Sequence, residues 1–210
     1  MGKTVAITGV NSYFASTVLP KLEADPEIER IIGIDVAPWR GGFEKVSFHK
    51  EDIRSEKIAD LLSGADVVYH LAFVVGEIQD KEATRDINVN GSRNVFSACV
   101  RNHVEKVIYT SSMTVYGSRA DNPIGLTEEF PVSRHGGNYY NSSKVEVEDL
   151  AMEFFKDHAE VTLTILRAAL LVGPGIDNMF SQLWSRKLTA LPAGSMAHNQ
   201  MIHDEDLGEA

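Results

Sequence analysis

The stretch TVAITGVNSYFAS, residues 4–16, decides the fold of this chain. Its first five residues are apolar or β-branched and predict a strand at 4–8, and a helical pattern at about 12–24 follows a turn at Gly9. A strand that passes through a glycine turn into a helix is the opening unit of a sheet with parallel strands and crossover helices.

The same alternation continues along the chain. Further apolar runs predict strands at 31–35, 46–49, 67–72, 107–111 and 163–167, and helical patterns lie at about 55–62, 84–102 and 140–158. Strands this apolar leave neither face of their sheet exposed to solvent. We therefore predict an α/β fold with a doubly wound parallel sheet, a Rossmann fold, over residues 1–170. The pattern loosens over 171–210, with a short helix around 181–187. We expect this part to be the start of an incomplete substrate-binding region.

Composition excludes several classes of protein. The 210 residues suit one domain, and a formal net charge of −10 argues against a nucleic-acid partner. The sequence carries no secretory signal, no apolar run long enough to span a membrane and no predicted metal-ligand set. Its single cysteine, Cys99, cannot form an internal disulfide and lies in an apolar pattern, so we expect a buried thiol and a cytoplasmic protein.

An acidic residue closes the second predicted strand. Asp35 lies 26 positions after Gly9. This layout suits a dinucleotide, whose pyrophosphate faces backbone N–H groups at a helix N-terminus while a carboxylate takes the ribose hydroxyls. A glycine between a strand and a helix is also common in any such sheet, and a solvated strand-end acid fits Asp35 equally well. This segment alone leaves cofactor binding open.

Hydroxyl groups and one basic side chain follow the fifth predicted strand. That strand runs into Ser112, and Tyr140 precedes Lys144 by four positions, which places both side chains on one helix face. A phenol titrates at about 10, so acid–base work by Tyr140 needs a nearby cation such as Lys144 to favour the phenolate. Ser112 could hold a substrate oxygen there. Each feature also has a purely structural explanation.

Nine segments together carry a family resemblance. In order they are TGVNSYFA, IGID, EDIRS, DVVYHLA, INVNGSRNV, VIYTSSMTVYG, YYNSSK, LRAALLVGPG and QMIHDEDL. The set resembles the extended short-chain dehydrogenase/reductase family, and within it the NAD-dependent epimerase/dehydratase group that contains sugar-nucleotide 4-epimerases. The resemblance covers essentially the whole chain.

The resemblance implies a role for each matching position. Gly9 and Ser12, with the backbone of Tyr13 and Phe14, would line the pyrophosphate, and Asp35 would hold the adenosine ribose and favour NAD. Asp52 and Ile53 would border the adenine, and Leu71 and Ala72 would run along the cofactor. Asn88 would organise the helix beneath it, and Ala169 would face the nicotinamide. The catalytic set would be Ser112, Tyr140 and Lys144, of which Tyr140 and Lys144 also contact the cofactor.

Two departures from the family pattern bear on this assignment. The second and third glycines of the usual turn are Ser12 and Ala15, and a Cβ at position 12 is expected to push the cofactor outward. The chain also ends seven residues after His203, before most of the substrate lobe that extended members carry.

The resemblance implies an NAD-dependent oxidoreductase or epimerase that acts on a carbinol carbon of a small-molecule substrate, such as a nucleotide sugar. A steroid- or ketone-type dehydrogenase or reductase is the alternative among enzymes, and a non-catalytic NAD sensor is the alternative outside them. The family also implies a homodimer joined by a four-helix bundle, built from helices at about 88–102 and 141–157. An apolar stripe on the second helix supports it: Val147, Leu150, Ala151, Phe154 and Phe155.

Overall fold

The computed structural model describes residues 2–76, 80–119, 121–134, 138–174, 176, 178–185, 187 and 200–210. Six strands form one sheet in which every neighbouring pair is parallel, in the order β3-β2-β1-β4-β5-β6. The strands are β1 (Lys3–Thr8), β2 (Ile28–Asp35), β3 (Val46–Lys50), β4 (Val67–His70), β5 (Lys106–Ser112) and β6 (Thr162–Ala168). This order reverses between β1 and β4, as in a Rossmann fold, and confirms the predicted fold class.

Helices cover both faces of the sheet. They are α1 (Tyr13–Ala24), α2 (Ile58–Leu61), α3 (Lys81–Arg85), α4 (Gly91–Arg101) and α5 (Tyr139–Lys156). Because successive side chains of a strand point to opposite faces, Val5 and Ile7 pack under α1, whereas Ala6 joins the larger core beneath α4 and α5. Cys99 lies fully buried in that larger core, as predicted, and burial raises the pKa of its thiol to about 12.

A second, smaller sheet follows the first. Strands β7 (Leu170–Val172) and β8 (Met201–His203) pair in parallel, and the helices α6 (Met179–Trp184) and α7 (Asp204–Glu209) accompany them. Helix α7 packs on α1, where Glu209 accepts a hydrogen bond from Lys21 at 3.2 Å. Most of the predicted loop LPAGSMAHNQ, namely residues 191–199, lies outside the described residues.

Several predicted elements differ from the observed ones; β2, for example, begins at Ile28 rather than at residue 31. The helix expected at 84–102 is divided into α3, a π-helical turn over Asp86–Asn90, and α4. The helix expected at 55–62 is reduced to α2, because a series of turns occupies the residues before it. Strand β4 ends at His70 rather than at residue 72, since the N–H of Ala72 donates to the Thr8 side chain, at 3.4 Å, instead of to a backbone carbonyl.

None of the helices in the described part of the chain combines the length and the apolar character that a bilayer crossing requires.

Candidate functional site

The glycine turn after β1 lies where the strand order of the sheet reverses. Gly9 has φ +72°, and a Cβ built on it would approach the backbone nitrogen of Ala72 to 2.7 Å. Both the left-handed backbone and the close approach of the β4 end exclude any larger residue. Gly9 therefore sets the spacing between the ends of β1 and β4, where ligands of such sheets bind.

Ser12 occupies an ordinary backbone conformation in the same turn. Its φ of −67° is accessible to any L-residue, and its hydroxyl caps α1 by accepting from the N–H of Ala15 at 3.2 Å. Ala15 is itself fully buried in the core under α1, so its methyl group is accommodated. Neither departure from the glycine pattern strains the backbone that the structure describes.

The first turn of α1 keeps two donors available. Within the described residues, the N–H groups of Tyr13 and Phe14 have no hydrogen-bond partner, because the Ser12 cap satisfies Ala15 only. Unpaired N–H groups and the helix dipole together favour an anionic group at this end of a helix. The arrangement fits the predicted pyrophosphate position.

Asp35 lies at the end of β2, beside this turn. One carboxylate oxygen accepts from the N–H of Ala37 at 2.9 Å and the other from the N–H of Asn11 at 3.0 Å. The carboxylate keeps lone pairs free, since two oxygens can accept about four hydrogen bonds. Asn11 donates its amide to the Ala37 carbonyl at 3.2 Å, and its buried Oδ1 has no partner among the described residues. Free acceptors beside a strand end suit the hydroxyls of a ribose.

The segment after β3 holds the predicted adenine pair. Asp52 forms a two-point ion pair with Arg54, whose guanidinium lies at 2.7 Å and holds the pKa of the Asp52 carboxyl below its usual range. Ile53 is buried beneath α4, where a Cβ on Gly91 would overlap its side chain at 2.6 Å. Ile53 thus fixes the approach of α4 to this edge of the sheet.

A buried chain of hydrogen bonds joins the ends of β1 and β4 to the helical segment before α4. The Ser92 hydroxyl donates to the Asn88 carbonyl at 2.5 Å, so it accepts from His70 Nε2 at 2.8 Å. A neutral imidazole has one donor and one acceptor nitrogen, so His70 Nδ1 accepts the Thr8 hydroxyl proton at 2.7 Å. Thr8 Oγ1 in turn accepts from Ala72. Every proton in the chain has a defined direction.

Asn88 extends this network to the backbone beyond β4. Its side chain accepts from the N–H of Val74 at 2.8 Å and donates to the carbonyl of the same residue at 3.2 Å. The predicted cofactor-lining residues Leu71 and Ala72 therefore lie on a segment held at both ends. Sequence reasoning assigned Asn88 a supporting role but missed His70, although a histidine inside the apolar run VVYHLA was a signal.

Ser112, Tyr140 and Lys144 meet at the carboxyl end of β5. Ser112 is the last residue of that strand, and α5 begins at Tyr139, capped by the Asn138 side chain. Lys144 donates a 2.7 Å hydrogen bond to the carbonyl of Thr110, which anchors α5 to β5. The Lys144 ammonium lies 5.8 Å from the centre of the Tyr140 ring. The structure thus brings together the three residues that the sequence predicts as a catalytic set.

Burial dominates the titration of this group. It raises the pKa of Tyr140, and the neighbouring Ser112 side chain opposes that rise. Burial also lowers the pKa of Lys144 to about 7, against the attraction of Glu148, which raises it. The sequence argument expected Lys144 to act chiefly on the phenol. In the structure the loss of solvent around both groups is the larger effect.

Two further charged residues lie beneath the site. Glu148 is fully buried one helical turn after Lys144, and Arg167 on β6 binds its carboxylate with a shortest contact of 2.8 Å. The guanidinium also donates to Tyr116 Oη and to the carbonyl of Glu128, both at 3.0 Å. This pair was not predicted from sequence, because its partners are joined only by the packing of α5 on β6.

The C-terminal segment contacts the glycine turn from the other side. The Tyr13 hydroxyl donates to the Asp204 carboxylate at the start of α7, and burial with this contact raises the pKa of Tyr13 to about 12. Ala169 lies at the break between β6 and β7, beside the end of the main sheet. Residues from both predicted regions therefore flank the same edge.

One family model and two curated relatives match this chain. A sequence model of the NAD dependent epimerase/dehydratase family matches residues 5–202. N-acetyl-alpha-D-glucosaminyl-diphospho-ditrans,octacis-undecaprenol 4-epimerase of Escherichia coli O157:H7 is 32% identical over 93% of this chain and 58% of its own length. 3beta-hydroxysteroid-dehydrogenase/decarboxylase isoform 2 of Arabidopsis thaliana is 30% identical over 62% of this chain and 23% of its own length.

A solved structure has the same fold. UDP-glucuronic acid 4-epimerase from Bacillus cereus, in complex with UDP-glucuronic acid and NAD, superposes with a TM-score of 0.82 over 98% of this chain and 70% of that chain, at 21% identity. The chain spans 57–58% of the length of the curated relatives from Mycobacterium and Escherichia coli. Because the family match leaves out only the two ends of the sequence, this chain belongs to the NAD dependent epimerase/dehydratase family, whose members are enzymes that use NAD.

Proposed function

We propose that this chain is the cofactor-binding part of an NAD-dependent oxidoreductase or epimerase that acts on a carbinol carbon of a nucleotide sugar. The observation that carries the proposal is the convergence of Ser112, Tyr140 and Lys144 beyond β5. They share the edge of the sheet with the glycine turn. This edge is where parallel sheets of this order bind dinucleotides.

The residues around the turn would hold the cofactor. The free N–H groups of Tyr13 and Phe14 would bind the pyrophosphate, and the carboxylate of Asp35 would accept from the adenosine ribose. A carboxylate at this position disfavours a 2′-phosphate by charge repulsion. We therefore expect a preference for NAD. The predicted contacts of Asp52, Ile53 and Ala169 remain part of this proposal.

The catalytic roles follow from the geometry of the three side chains. Bound NAD would supply the hydride acceptor. Tyr140 would take the proton of the substrate hydroxyl, Ser112 would orient the substrate oxygen, and the charged form of Lys144 would stabilise the phenolate. Because burial raises the pKa of Tyr140, proton transfer requires that stabilisation. In an epimerase the keto intermediate would take the hydride back on its other face; in a dehydrogenase the ketone would leave.

The relatives' names support the substrate class. A nucleotide sugar is favoured by the names of the Escherichia coli and Bacillus cereus 4-epimerases, which match nearly the whole chain. The Arabidopsis relative keeps a steroid-type substrate as the second candidate, over a shorter match. A panel of UDP-sugars and hydroxysteroids, assayed for epimerised product and for NADH, separates the two.

The substitution Tyr140→Phe tests the mechanism. It removes the proton acceptor while keeping the ring, so we expect kcat to fall by about 10²- to 10⁴-fold with little change in NAD affinity. Tyr139→Phe is the matched control, because the buried Tyr139 hydroxyl has no hydrogen-bond partner in the described part of the chain. Full turnover in the Tyr140→Phe variant of the whole protein would rule the mechanism out.

A homodimer is a further proposal. Of the five residues in the apolar stripe of α5, only Phe154 is incompletely buried in the chain's own core, whereas Met152 on the opposite face of the helix is 44% exposed. A dimer contact on this helix would therefore centre on Met152. Sedimentation velocity of wild type and Met152→Glu tests it. We expect a dimer that the charge weakens, and a concentration-independent monomer would remove the idea.

A further inference from the structure

Three aromatic rings enclose the Lys144 ammonium. The centre of the Phe73 ring lies 3.6 Å from Nζ, that of Tyr109 5.1 Å away and that of Tyr140 5.8 Å away. The Thr110 carbonyl accepts a hydrogen bond from one of the three N–H groups of Lys144, and within the described residues no carboxylate forms an ion pair with Lys144. Lys144 as a whole is only 3% exposed.

Phe73 differs from the other two rings in its support. Tyr109 is a fully buried strand residue, and Tyr140 lies on the same helix as Lys144. Phe73 lies on the irregular segment beyond β4, is half-buried, and meets the Tyr140 ring edge to face, with centres 5.7 Å apart. The side chain of Asn88 forms two hydrogen bonds with the backbone of Val74, the residue that follows Phe73. The side chain of Phe73 is thus the part of the enclosure with most freedom to move.

The position of this ring limits what Lys144 can bind. An ammonium over a ring face is attracted by the π-electrons, but a hydroxyl that bonds Nζ must come within about 3 Å of it. The Phe73 ring covers Nζ at this distance, and Thr110 and Tyr109 lie against it as well. Because Lys144 is almost completely buried, a ligand hydroxyl can reach Nζ only if a covering side chain moves, and Phe73 is the ring nearest to Nζ.

We propose that Phe73 is a positioning residue that shields the Lys144 ammonium in the free protein and yields that place to a ligand hydroxyl. The proposal rests on the proposed function for the identity of the ligand, a ribose hydroxyl of NAD. The shield itself is a property of the free chain. It keeps Lys144 beside Tyr140 and away from water until the site is filled.

Chemical labelling of the free protein tests the shield. Sulfo-NHS-acetate acetylates an amine only where the reagent can approach it, and the exposed Lys156 on the same helix is the internal reference. We expect Lys144 in Phe73→Leu to be acetylated at least about tenfold faster, relative to Lys156, than in wild type. Phe73→Tyr keeps the ring and should label like wild type. Phe130→Leu, which removes a half-buried ring packed on Tyr116, should also leave the rate unchanged.

The outcomes separate the shield from the cofactor. Equal Lys144 labelling in wild type and Phe73→Leu, with both folded by circular dichroism, would overturn the shield. Calorimetry should give Phe73→Leu an NAD affinity equal to or tighter than that of wild type. A weaker NAD affinity of Phe73→Leu would show that the ring contacts the cofactor, and it would overturn the proposal that the ligand displaces the ring. Failure of every variant to bind NAD would overturn the proposed function, while the labelling result would still decide the shield.

Discussion

Two buried titratable side chains lie close to each other, and they are satisfied in opposite ways. His70 uses both ring nitrogens in hydrogen bonds, and burial lowers its pKa to about 3. Lys144 uses one donor of three, with aromatic rings around the rest, and burial lowers its pKa only to about 7. His70 has no hydrogen-bonding capacity left for a ligand, whereas Lys144 has two donors. The hydrogen bonds of His70 fit a structural role, whereas the two remaining donors of Lys144 fit the role that we propose for it.

The largest expected effect removes the satisfied group. His70→Leu leaves the buried Thr8 hydroxyl without an acceptor and the buried Ser92 hydroxyl without the donor from His70, so we expect the free energy of unfolding to fall by about 4 kcal/mol. Urea denaturation at pH 7 measures it. Tyr109→Phe is the control, because this neighbouring buried hydroxyl has no partner among the described residues and its loss should change stability little. Equal losses of unfolding free energy in His70→Leu and Tyr109→Phe would contradict the structural role of the His70 hydrogen bonds.

The pH dependence of the unfolding free energy tests the comparison at Lys144. The pKa of Lys144 falls from 10.5 to about 7 on folding, so the unfolded chain binds more protons between those values and stability rises with pH. Relative to Lys144→Met, wild type should gain about 2 kcal/mol of unfolding free energy between pH 7 and pH 9. Subtracting the unfolding free energy of Lys144→Met from that of wild type at each pH cancels the titrations that the two proteins share. A constant difference across this range would mean that Lys144 stays charged when folded.

The smallest expected effect concerns the glycine turn. Ser12 has a φ of −67° and caps α1, so the conformation does not require glycine. Ser12→Gly should lower the unfolding free energy by only a few tenths of a kcal/mol, and Ser12→Ala by about 1 kcal/mol through loss of the cap. NAD affinity measured by calorimetry should stay the same in Ser12→Gly. A large gain in affinity would show that the serine Cβ obstructs the pyrophosphate.

Prediction from sequence succeeded where the signal was local. The parallel sheet with crossover helices follows from a regular alternation of apolar runs and helical patterns, and Tyr140 and Lys144 share a helix face through their spacing alone. It failed at the 84–102 helix, where the π-helical turn that carries Asn88 interrupts the regular pattern. The sequence also left open how much of the apolar stripe of α5 packs on the chain's own core, and the structure buries four of its five residues there.

The sequence by itself determined the α/β alternation, the glycine turn at Gly9, the acid at the end of β2 and the hydroxyl and amine side chains available beyond β5. Only the tertiary structure decided the environment of those residues. Thr8 and His70 are 62 positions apart, and Lys144 and Thr110 are 34 apart. Such contacts form when parallel strands bring distant ends to one edge. The hydrogen-bond partners there set which nitrogen of His70 carries the proton, and burial sets how strongly Lys144 holds its own.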